Sequence, residues 1–247
     1  MDGVGWKRFI LKDKKIEMEG VKSFLLESAE SPMYFVPGQH IIMRFSDLEN
    51  DQRGRMRHFS MCTSPLEGKF IGITTTIDEV DSPFKNRLDS IGVGEEIDVF
   101  GAMGKFIFEP KLWKESIIVL IAGGIGITPF RSMIKYALSM DGNFRIRLFY
   151  SGKSATGFVF KNELEKMAAE DGRLGIFYTM TGESEMAEGM HRGRINSEFI
   201  GANVENIDNS SFYICGPPRM VEEITGSIIS DLNVTRDRIN VEQFIGY

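Results

Sequence analysis

Short segments in which hydrophobic and polar residues alternate fill the chain up to about residue 110. Gly, Pro and Asp cluster between these segments, which is the pattern of strands joined by turns. We predict strands at residues 6–14, 21–27, 40–45, 56–62, 70–77 and 96–100. Six such strands favour an antiparallel β-barrel. One helix is predicted at residues 82–91, because Ser82 suits an N-cap and Pro83 the first helical position.

The pattern changes after Pro110, where apolar runs alternate with helical periodicity. We predict strands at residues 117–122, 145–150, 174–179, 212–215 and 239–244, and helices at residues 130–139, 160–170 and 219–231. Strands that alternate with helices are typical of a doubly wound parallel sheet. The chain is therefore predicted to form an antiparallel six-stranded β-barrel domain at residues 1–112 and an α/β domain at residues 113–247.

Length and composition fit two compact domains of a cytoplasmic protein. The chain has 247 residues and a formal net charge of −6 without any basic block, so we expect no nucleic-acid partner. The first residues lack a secretory pattern, and the most apolar run, at residues 117–127, is too short to span a membrane. The two cysteines, Cys62 and Cys215, are too few for an iron–sulfur cluster, which needs about four, and no metal site is expected.

Two glycine-bearing turns each end a predicted strand. Residues 123–129 read Gly-Gly-Ile-Gly-Ile-Thr-Pro and precede a helix, whose N-terminus attracts phosphate, although the sequence is neither G-x-G-x-x-G nor a P-loop. Residues 215–218 form the second turn. Ligands collect at the carboxyl ends of parallel strands, so the two turns are predicted to flank one crevice. A turn without a ligand and an inert, packed Cys215 stay open as alternatives.

Two candidate anion sites lie in the predicted barrel. The guanidinium of Arg57 suits a phosphate, while Ser60, three residues further along the strand, points to the opposite face. The helix start at residues 82–84 is the second candidate. Two anion sites in one barrel fit a pyrophosphate, whereas an exposed arginine on a strand is the alternative for Arg57 alone.

Four motifs follow one another along the chain: Arg57-x-Phe59-Ser60, Gly124-x-Gly126-x-Thr128-Pro129, Cys215-Gly216-Pro217-x-x-Met220, and an aromatic C-terminus from Glu242 to Tyr247. In this order they resemble the ferredoxin–NADP reductase superfamily, and the resemblance covers nearly the whole chain. It implies a barrel that binds FAD, an α/β domain that binds NAD(P), and a member without an iron–sulfur domain. Such a member passes its electrons to a separate acceptor.

The resemblance also assigns roles to individual residues. The implied flavin-binding residues are Arg57, His58, Phe59, Ser60, Thr74, Thr75, Thr76, Ser82, Pro83 and Phe84. The implied nicotinamide-binding residues are Gly124, Gly126, Thr128, Pro129, Gly216, Pro217 and Met220. Either Phe244 or Tyr247 is implied to cover the flavin. Ser60, Cys215 and Glu242 are implied to lie beside the reacting atoms as catalytic residues.

The function that this resemblance implies is that of an FAD-dependent NAD(P)H oxidoreductase, a ferredoxin reductase-like enzyme of electron transfer. A flavin or quinone reductase, and a non-catalytic electron-transfer subunit, stay open as alternatives. NADPH is predicted over NADH, because residues 151–157 contain no acid that would hold a ribose hydroxyl. Ser151, Lys153 and Arg194 suit the 2′-phosphate instead.

The acceptor itself is not specified by the sequence. A ferredoxin is one candidate, because an acidic protein would be attracted to basic residues on this otherwise acidic chain. The basic residues in question are Arg53, Arg55 and the lysines of residues 12–15. Solvated charges without a partner are the alternative.

Overall fold

The computed structural model describes residues 5–48, 55–77, 82–108, 116–182 and 188–245. Contacts divide the chain into two compact units. The first ends at Phe108 and also contains Arg131–Tyr136, and the second contains the remaining residues. Arg131–Tyr136 are the middle of the helix at Ile127–Leu138, which is described below with the sheet of the second unit. The predicted domain boundary between residues 112 and 113 lies outside the described residues and stays a prediction.

The first unit contains a six-stranded antiparallel sheet. Its elements are β1 (Trp6–Met18), β2 (Val21–Ser28), β3 (His40–Arg44), β4 (Met56–Ser60), β5 (Phe70–Thr76), α1 (Pro83–Ser90) and β6 (Glu96–Met103). The strand order is β4-β3-β6-β1-β2-β5. A bridge between Met61 and Ile73, and a 2.8 Å hydrogen bond from the Cys62 N–H to the Gly72 carbonyl, join the two ends of this sheet. The sheet therefore closes on itself, as the predicted barrel requires.

Alternating residues of the barrel strands build its core. Phe9 and Leu11 of β1 and Phe24 and Leu26 of β2 are all at most 1% exposed. Side chains of a strand point alternately to its two faces, so every second residue enters the core and the residues between them stay outside. Hydrophobic and polar residues therefore alternate in the sequence because each of these strands has one apolar face.

The second unit contains a six-stranded parallel sheet with helices between its strands. Its elements are β7 (Ile117–Gly123), α2 (Ile127–Leu138), β8 (Arg145–Gly152), α3 (Lys161–Glu170), β9 (Leu174–Met180), β10 (Met190–Arg192), α4 (Ser197–Asn203), β11 (Ser210–Gly216), α5 (Pro218–Leu232) and β12 (Ile239–Gln243). The strand order is β10-β9-β8-β7-β11-β12. From β7 to β10 the chain adds strands on one side of the sheet, and β11 and β12 are added on the other side of β7. The strand order thus reverses between β7 and β11, and such a switch point is where open α/β sheets bind ligands.

The predicted fold class is confirmed, while two elements were missed and several predicted ones differ in their bounds; β1, for example, ends at Met18 rather than at residue 14. β10 and α4 were not predicted, because segments of three and seven residues are too short to show a clear period. α2 begins at Ile127 instead of residue 130, so Thr128 and Pro129 lie in its first turn, where proline is tolerated. Within the described ranges, no helix is long and apolar enough to cross a membrane.

Candidate active site

The two glycine-bearing turns of the second unit lie against each other. A Cβ built on Gly126 would overlap the backbone carbonyl of Cys215, and one built on Gly216 would lie 3.2 Å from the Cα of Gly123. Only a residue without a side chain allows this approach. The turns that end β7 and β11 thus meet at the switch point, which is the juxtaposition predicted from the sequence.

Open space lies beside the first of these turns. Gly124 has a left-handed φ of 54°, and a Cβ built there would meet no atom within 4 Å. The Thr128 hydroxyl, by contrast, donates to the Ile125 carbonyl at 3.1 Å and is buried. Gly124 therefore leaves room for a ligand, while the Thr128 side chain holds the turn together.

Cys215 and Glu242 are direct neighbours in the register of β11 and β12. Cys215 is fully buried, and its burial raises the pKa of the thiol well above the ordinary value. The carboxylate of Glu242 raises the pKa of this thiol further. Two of the three predicted catalytic residues are thus brought together, with the sulfur held as a neutral thiol. Ser60 belongs to the first unit.

The chain beyond β12 stays attached to the second turn. The N–H of Phe244 donates to the carbonyl of Gly216 at 2.9 Å. This hydrogen bond places the backbone of Phe244 beside the second turn, whereas Tyr247 lies outside the described residues. The predicted competition of Phe244 with a nicotinamide stays a prediction.

Replacing Phe244 with alanine is expected to tighten the binding of the nicotinamide nucleotide by several-fold, because an aromatic ring at the crevice must be displaced before the nucleotide enters. Equilibrium titration of the oxidised protein with NADP+ measures this. Ile245→Ala is the matched control, since the neighbouring Ile245 side chain is 85% exposed. Equal affinities in the native protein and in Phe244→Ala would mean that the tail only completes β12.

The residues predicted to select NADPH lie at separate points of the second unit. Ser151 is paired in register with Gly123 at the end of β8, and the exposed Lys153 accepts a 3.0 Å hydrogen bond at its carbonyl from the Gly182 N–H. Arg194 forms an ion pair with Glu223, at 3.0 Å. Arg219, on the first turn of α5, shares that carboxylate at 2.7 Å. Sequence reasoning missed this shared contact, because it joins residues distant in the chain.

The Arg57 motif lies on β4 and presents two faces. Phe59 pairs with Ile41 and is buried in the barrel core, while Arg57 pairs with Met43 on the same face. The ring of His58, on the opposite face, lies 5.1 Å from that of His40. Burial lowers the pKa of His40, and the nearby His58 lowers it further. The flavin contacts implied for Phe59 and His58 stay predictions.

The two candidate anion sites of the barrel are neighbours. The guanidinium carbon of Arg57 lies 5.3 Å from the ring centroid of Phe84, and its Nη1 donates to the Met56 carbonyl at 2.8 Å. Ser82 is fully buried and caps α1 by accepting a 3.4 Å hydrogen bond from the Lys85 N–H. Arg57 and the N-terminus of α1 therefore meet around Phe84, as a diphosphate would require.

Lys85 is a residue of this site that sequence reasoning missed. Its side chain is buried, and its Nζ donates to the hydroxyl of Thr75 and, at 2.8 Å, to the carbonyl of Thr76. The same Nζ lies 5.6 Å from the ring centroid of Phe59. A lysine in a short polar helix usually faces solvent, so only its position three residues after Ser82 could have drawn attention to it.

Thr74, the remaining threonine of the predicted flavin site, points away from Lys85. Its hydroxyl lies 2.6 Å from that of Ser23 and 3.3 Å from the sulfur of Cys62. Burial raises the pKa of Cys62 to about 11, so this thiol is also neutral. The side chain of Thr74 on β5 thus contacts β2 and the segment that follows β4.

The donor chemistry of each unit fits the cofactor predicted for it. The barrel offers two cations and a capped helix start, which suit the diphosphate of FAD. The second unit offers a glycine-lined crevice at the switch point of a parallel sheet, which suits a nicotinamide dinucleotide. Together, the fold and these two sites define the class of two-domain flavoprotein oxidoreductases.

Comparison with known proteins finds the same nucleotide-binding domain and the same fold. Residues 120–225 match the family model of the oxidoreductase NAD-binding domain. The flavohemoprotein of Bacillus subtilis (strain 168) is 26% identical over 249 aligned positions, which cover 97% of this chain and 60% of the relative. The chain thus spans about three fifths of the length of that relative.

Two solved structures share the fold over nearly their whole length. The FAD/NAD-binding domain of nitric oxide dioxygenase from Vibrio cholerae O1 biovar El Tor has a TM-score of 0.81 and 22% identity, with coverage of 96% of this chain and 98% of that one. The cytochrome b5 reductase domain of Ulva prolifera nitrate reductase has a TM-score of 0.84 and 20% identity, with coverage of 96% and 97%. Both likenesses show the two-domain fold.

These findings confirm the resemblance to the ferredoxin–NADP reductase superfamily. They also confirm the predicted class, an FAD-dependent NAD(P)H oxidoreductase, together with FAD and a nicotinamide nucleotide as its cofactors. Relatives of this class pass electrons to separate acceptors. Three predictions stay predictions: the choice of NADPH over NADH, the roles of individual residues and the identity of the acceptor.

Proposed function

We propose that this protein oxidises NADPH at the crevice of its second unit, and that FAD held by its barrel carries the electrons to a separate acceptor. The contact between the turns of Gly126 and Cys215, at the switch point of the parallel sheet, is the observation that carries this proposal. Bound FAD supplies the redox chemistry, since it accepts a hydride and releases its electrons singly or as a pair. The protein supplies binding, orientation and charge.

The residues of the second unit bind and orient the nucleotide. Gly124 borders open space that a phosphate would fill at the start of α2, and Gly126 lets the turn approach Cys215 closely. The neutral thiol of Cys215 offers a small, polarisable contact to a nicotinamide ring. Burial raises the pKa of this thiol, and the neighbouring Glu242 carboxylate raises it further.

Cys215→Ala is expected to slow the reduction of bound flavin by about tenfold, which corresponds to about 1.4 kcal/mol of lost transition-state stabilisation. The rate in the native protein should show no break near about pH 8.5, where an ordinary thiol titrates, because the pKa of Cys215 lies well above that value. Stopped-flow spectroscopy measures both. Cys62→Ala, which removes the other buried thiol, should retain the native rate. A native rate in Cys215→Ala would remove the cysteine from the site.

Preference for NADPH is supported by the loop that follows β8. Ser151 and the exposed Lys153 lie there, and residues 151–157 contain no acid. Such a loop suits a 2′-phosphate better than a ribose hydroxyl. The pair of Arg194 with Glu223 adds a second cation, which a phosphate would have to draw away from its carboxylate.

Lys153→Ala is expected to lower kcat/KM for NADPH by about tenfold and to leave that for NADH nearly unchanged, because the loss of a charged hydrogen bond costs roughly 1.5–3 kcal/mol before solvent reduces it. Steady-state kinetics with both nucleotides measures this. Lys166→Ala, at an exposed position of α3, is the control. A native preference for NADH, or equal losses with both nucleotides, would contradict the assignment.

The acceptor proposed first is a ferredoxin, as a separate, acidic partner. Two of the lysines predicted to attract it form ion pairs within the barrel: Lys12 pairs with Glu27 at 2.9 Å, and Lys15 with Glu17 at 2.8 Å. Arg53 lies outside the described residues. A haem protein is the second candidate, because the relatives above include a flavohemoprotein and a cytochrome b5 reductase domain. A cytoplasmic location is part of the same proposal.

The experiment that tests the function supplies NADPH and, in turn, a ferredoxin, a b-type cytochrome and a free quinone to the FAD-loaded protein. Electron transfer to a protein acceptor at a rate well above that to the quinone supports the proposal. Fast reduction of the quinone alone would assign the protein to the quinone reductases. Reduction of none of the three, with flavin still reduced by NADPH, would exclude these acceptor classes.

A further inference from the structure

The loop between β8 and α3 is fixed to its neighbours at its start. The carbonyl of Gly152 accepts a 3.0 Å hydrogen bond from the Thr181 N–H, and the carbonyl of Lys153 accepts one of 3.0 Å from the Gly182 N–H. Thr181 and Gly182 directly follow β9. Backbone hydrogen bonds therefore hold the first residues of this loop beside the end of the neighbouring strand.

A buried hydroxyl joins the two ends of the same loop. Tyr150, near the end of β8, is fully buried, and its hydroxyl accepts a 3.0 Å hydrogen bond from the N–H of Val159. The two residues lie nine positions apart in the chain. A buried backbone N–H without an acceptor is costly, so this bond is the means by which the loop closes without that cost.

The end of the loop also packs against its start. The ring of Phe158 meets that of Tyr150 edge-on, with 5.1 Å between the centroids, and that of Tyr178 at 4.9 Å. A Cβ built on Gly152 would lie 2.9 Å from the Phe158 ring. Phe160 has a left-handed φ of 63°, which a bulky residue adopts only where its surroundings impose it. The loop of residues 151–159 is therefore ordered from within.

Ser151 and Lys153, the residues proposed to meet the 2′-phosphate, stand inside this ordered loop. The hydrogen bond and the ring contacts act on its backbone and its buried side chains, while Lys153 itself is exposed. A loop that already has its bound shape loses less conformational entropy when a ligand binds. Selective binding of a phosphate thus depends on whatever keeps this loop in shape.

We propose that Tyr150 is a positioning residue for nucleotide selection, because its hydroxyl holds the loop in the shape that presents Lys153 to the 2′-phosphate of NADPH. This inference rests on the proposed function, since it concerns the loop to which the preference for NADPH is assigned. Tyr150 is fully buried, so it acts through the loop. A tyrosine that only packs in the core would instead serve the fold.

The test measures the dissociation constants of NADP+ and NAD+ by equilibrium titration of the oxidised, FAD-loaded protein. The variants are Tyr150→Phe, Lys153→Ala and the double variant that carries both changes. Tyr178→Phe is the matched control: it removes a buried hydroxyl that has no hydrogen-bond partner among the described residues, and its ring packs on the same Phe158. Thermal unfolding checks that each variant is folded.

Tyr150→Phe is expected to weaken NADP+ binding about three- to tenfold and NAD+ binding less than about twofold, because the Val159 N–H loses its acceptor and the loop relaxes. Added to Lys153→Ala, the same change should weaken NADP+ binding by less than about twofold, since residues that act as a unit are not additive. The KM for NADPH should rise while kcat stays native. Tyr178→Phe should match the native protein throughout.

Three results would overturn the proposal and leave Tyr150 as a core residue: native NADP+ affinity in Tyr150→Phe, equal losses for both nucleotides, or additive losses in the double variant. A loss in Tyr178→Phe as large as that in Tyr150→Phe would do the same. Should NAD+ bind too weakly for titration, the KM values for NADPH and NADH give the same comparison.

A fold defect does not remove the test. If Tyr150→Phe does not fold, Phe158→Leu takes its place with the same expectations, because it reduces the ring that packs over Gly152. Failure of the proposed function looks different. In that case, the native protein would prefer NAD+, or Lys153→Ala would weaken both nucleotides equally, and the role of Tyr150 in selection would fall with it.

Discussion

Gly126→Ala is expected to slow the reduction of bound flavin by NADPH roughly a hundredfold, the scale on which a displacement of about 1 Å acts in an active site. The reason is steric, because a Cβ at this position would overlap the carbonyl of Cys215. Either the turn of β7 or that of β11 must move, and the crevice at the switch point would lose its shape. Such overpacking costs about 1–3 kcal/mol of stability, which a folded unit survives.

Stopped-flow reduction with NADPH, together with the visible spectrum of bound FAD, measures the effect. Bound FAD should stay at the native level, because Gly126 belongs to the second unit and the flavin residues to the first. Gly226→Ala is the matched control: its Cβ would meet no atom within 4 Å, and alanine should stabilise the interior of α5 by roughly 0.5–1 kcal/mol. Native reduction rates in Gly126→Ala would show that the nucleotide binds elsewhere.

Arg57→Ala is expected to weaken FAD binding by roughly 1.5–3 kcal/mol, or about ten- to a hundredfold, because it removes a charged hydrogen-bond donor from a diphosphate. The structure strengthens this expectation, since the guanidinium lies against Phe84 in the first turn of α1. Equilibrium dialysis or fluorescence titration of the apoprotein with FAD measures the change.

A matched control for Arg57→Ala is Arg8→Ala, which removes an arginine from the same barrel. Arg8 pairs with Glu96 at 3.1 Å, and both side chains are more than half exposed. Exposed pairs of this kind contribute about 0–1 kcal/mol, so FAD affinity should stay native. A loss in Arg57→Ala no larger than that in Arg8→Ala would mean that Arg57 is an ordinary strand arginine.

Much of the architecture could be predicted because the spacing of hydrophobic residues along the chain indicates strands and helices. The alternation through Phe9 and Leu11 reports one buried face, and the apolar run at residues 117–122 reports a strand buried on both faces. The proximity of the two turns followed from one rule about parallel sheets. β10 escaped prediction because three residues cannot establish a period.

The sequence motifs of the candidate site could be predicted, whereas the contacts of its charged side chains could not. Arg57, Ser82 and Gly126 stand in recognisable patterns, whereas Lys85 looks like any solvated lysine until α1 folds against β5. The pairing of Arg194 and Arg219 through Glu223 was equally hidden, because it depends on how the β10–α4 connection meets α5. Long-range contacts of side chains decide which charges a ligand meets, and no local pattern encodes them.

The most direct test of the central claim is an anaerobic titration of the purified, FAD-loaded protein with NADPH, followed by the visible absorbance of the flavin. We expect one equivalent of FAD to bind per chain and one equivalent of NADPH to bleach it, with NADH acting less effectively. A protein that binds no FAD, or whose bound FAD is bleached by neither nucleotide, would contradict the account.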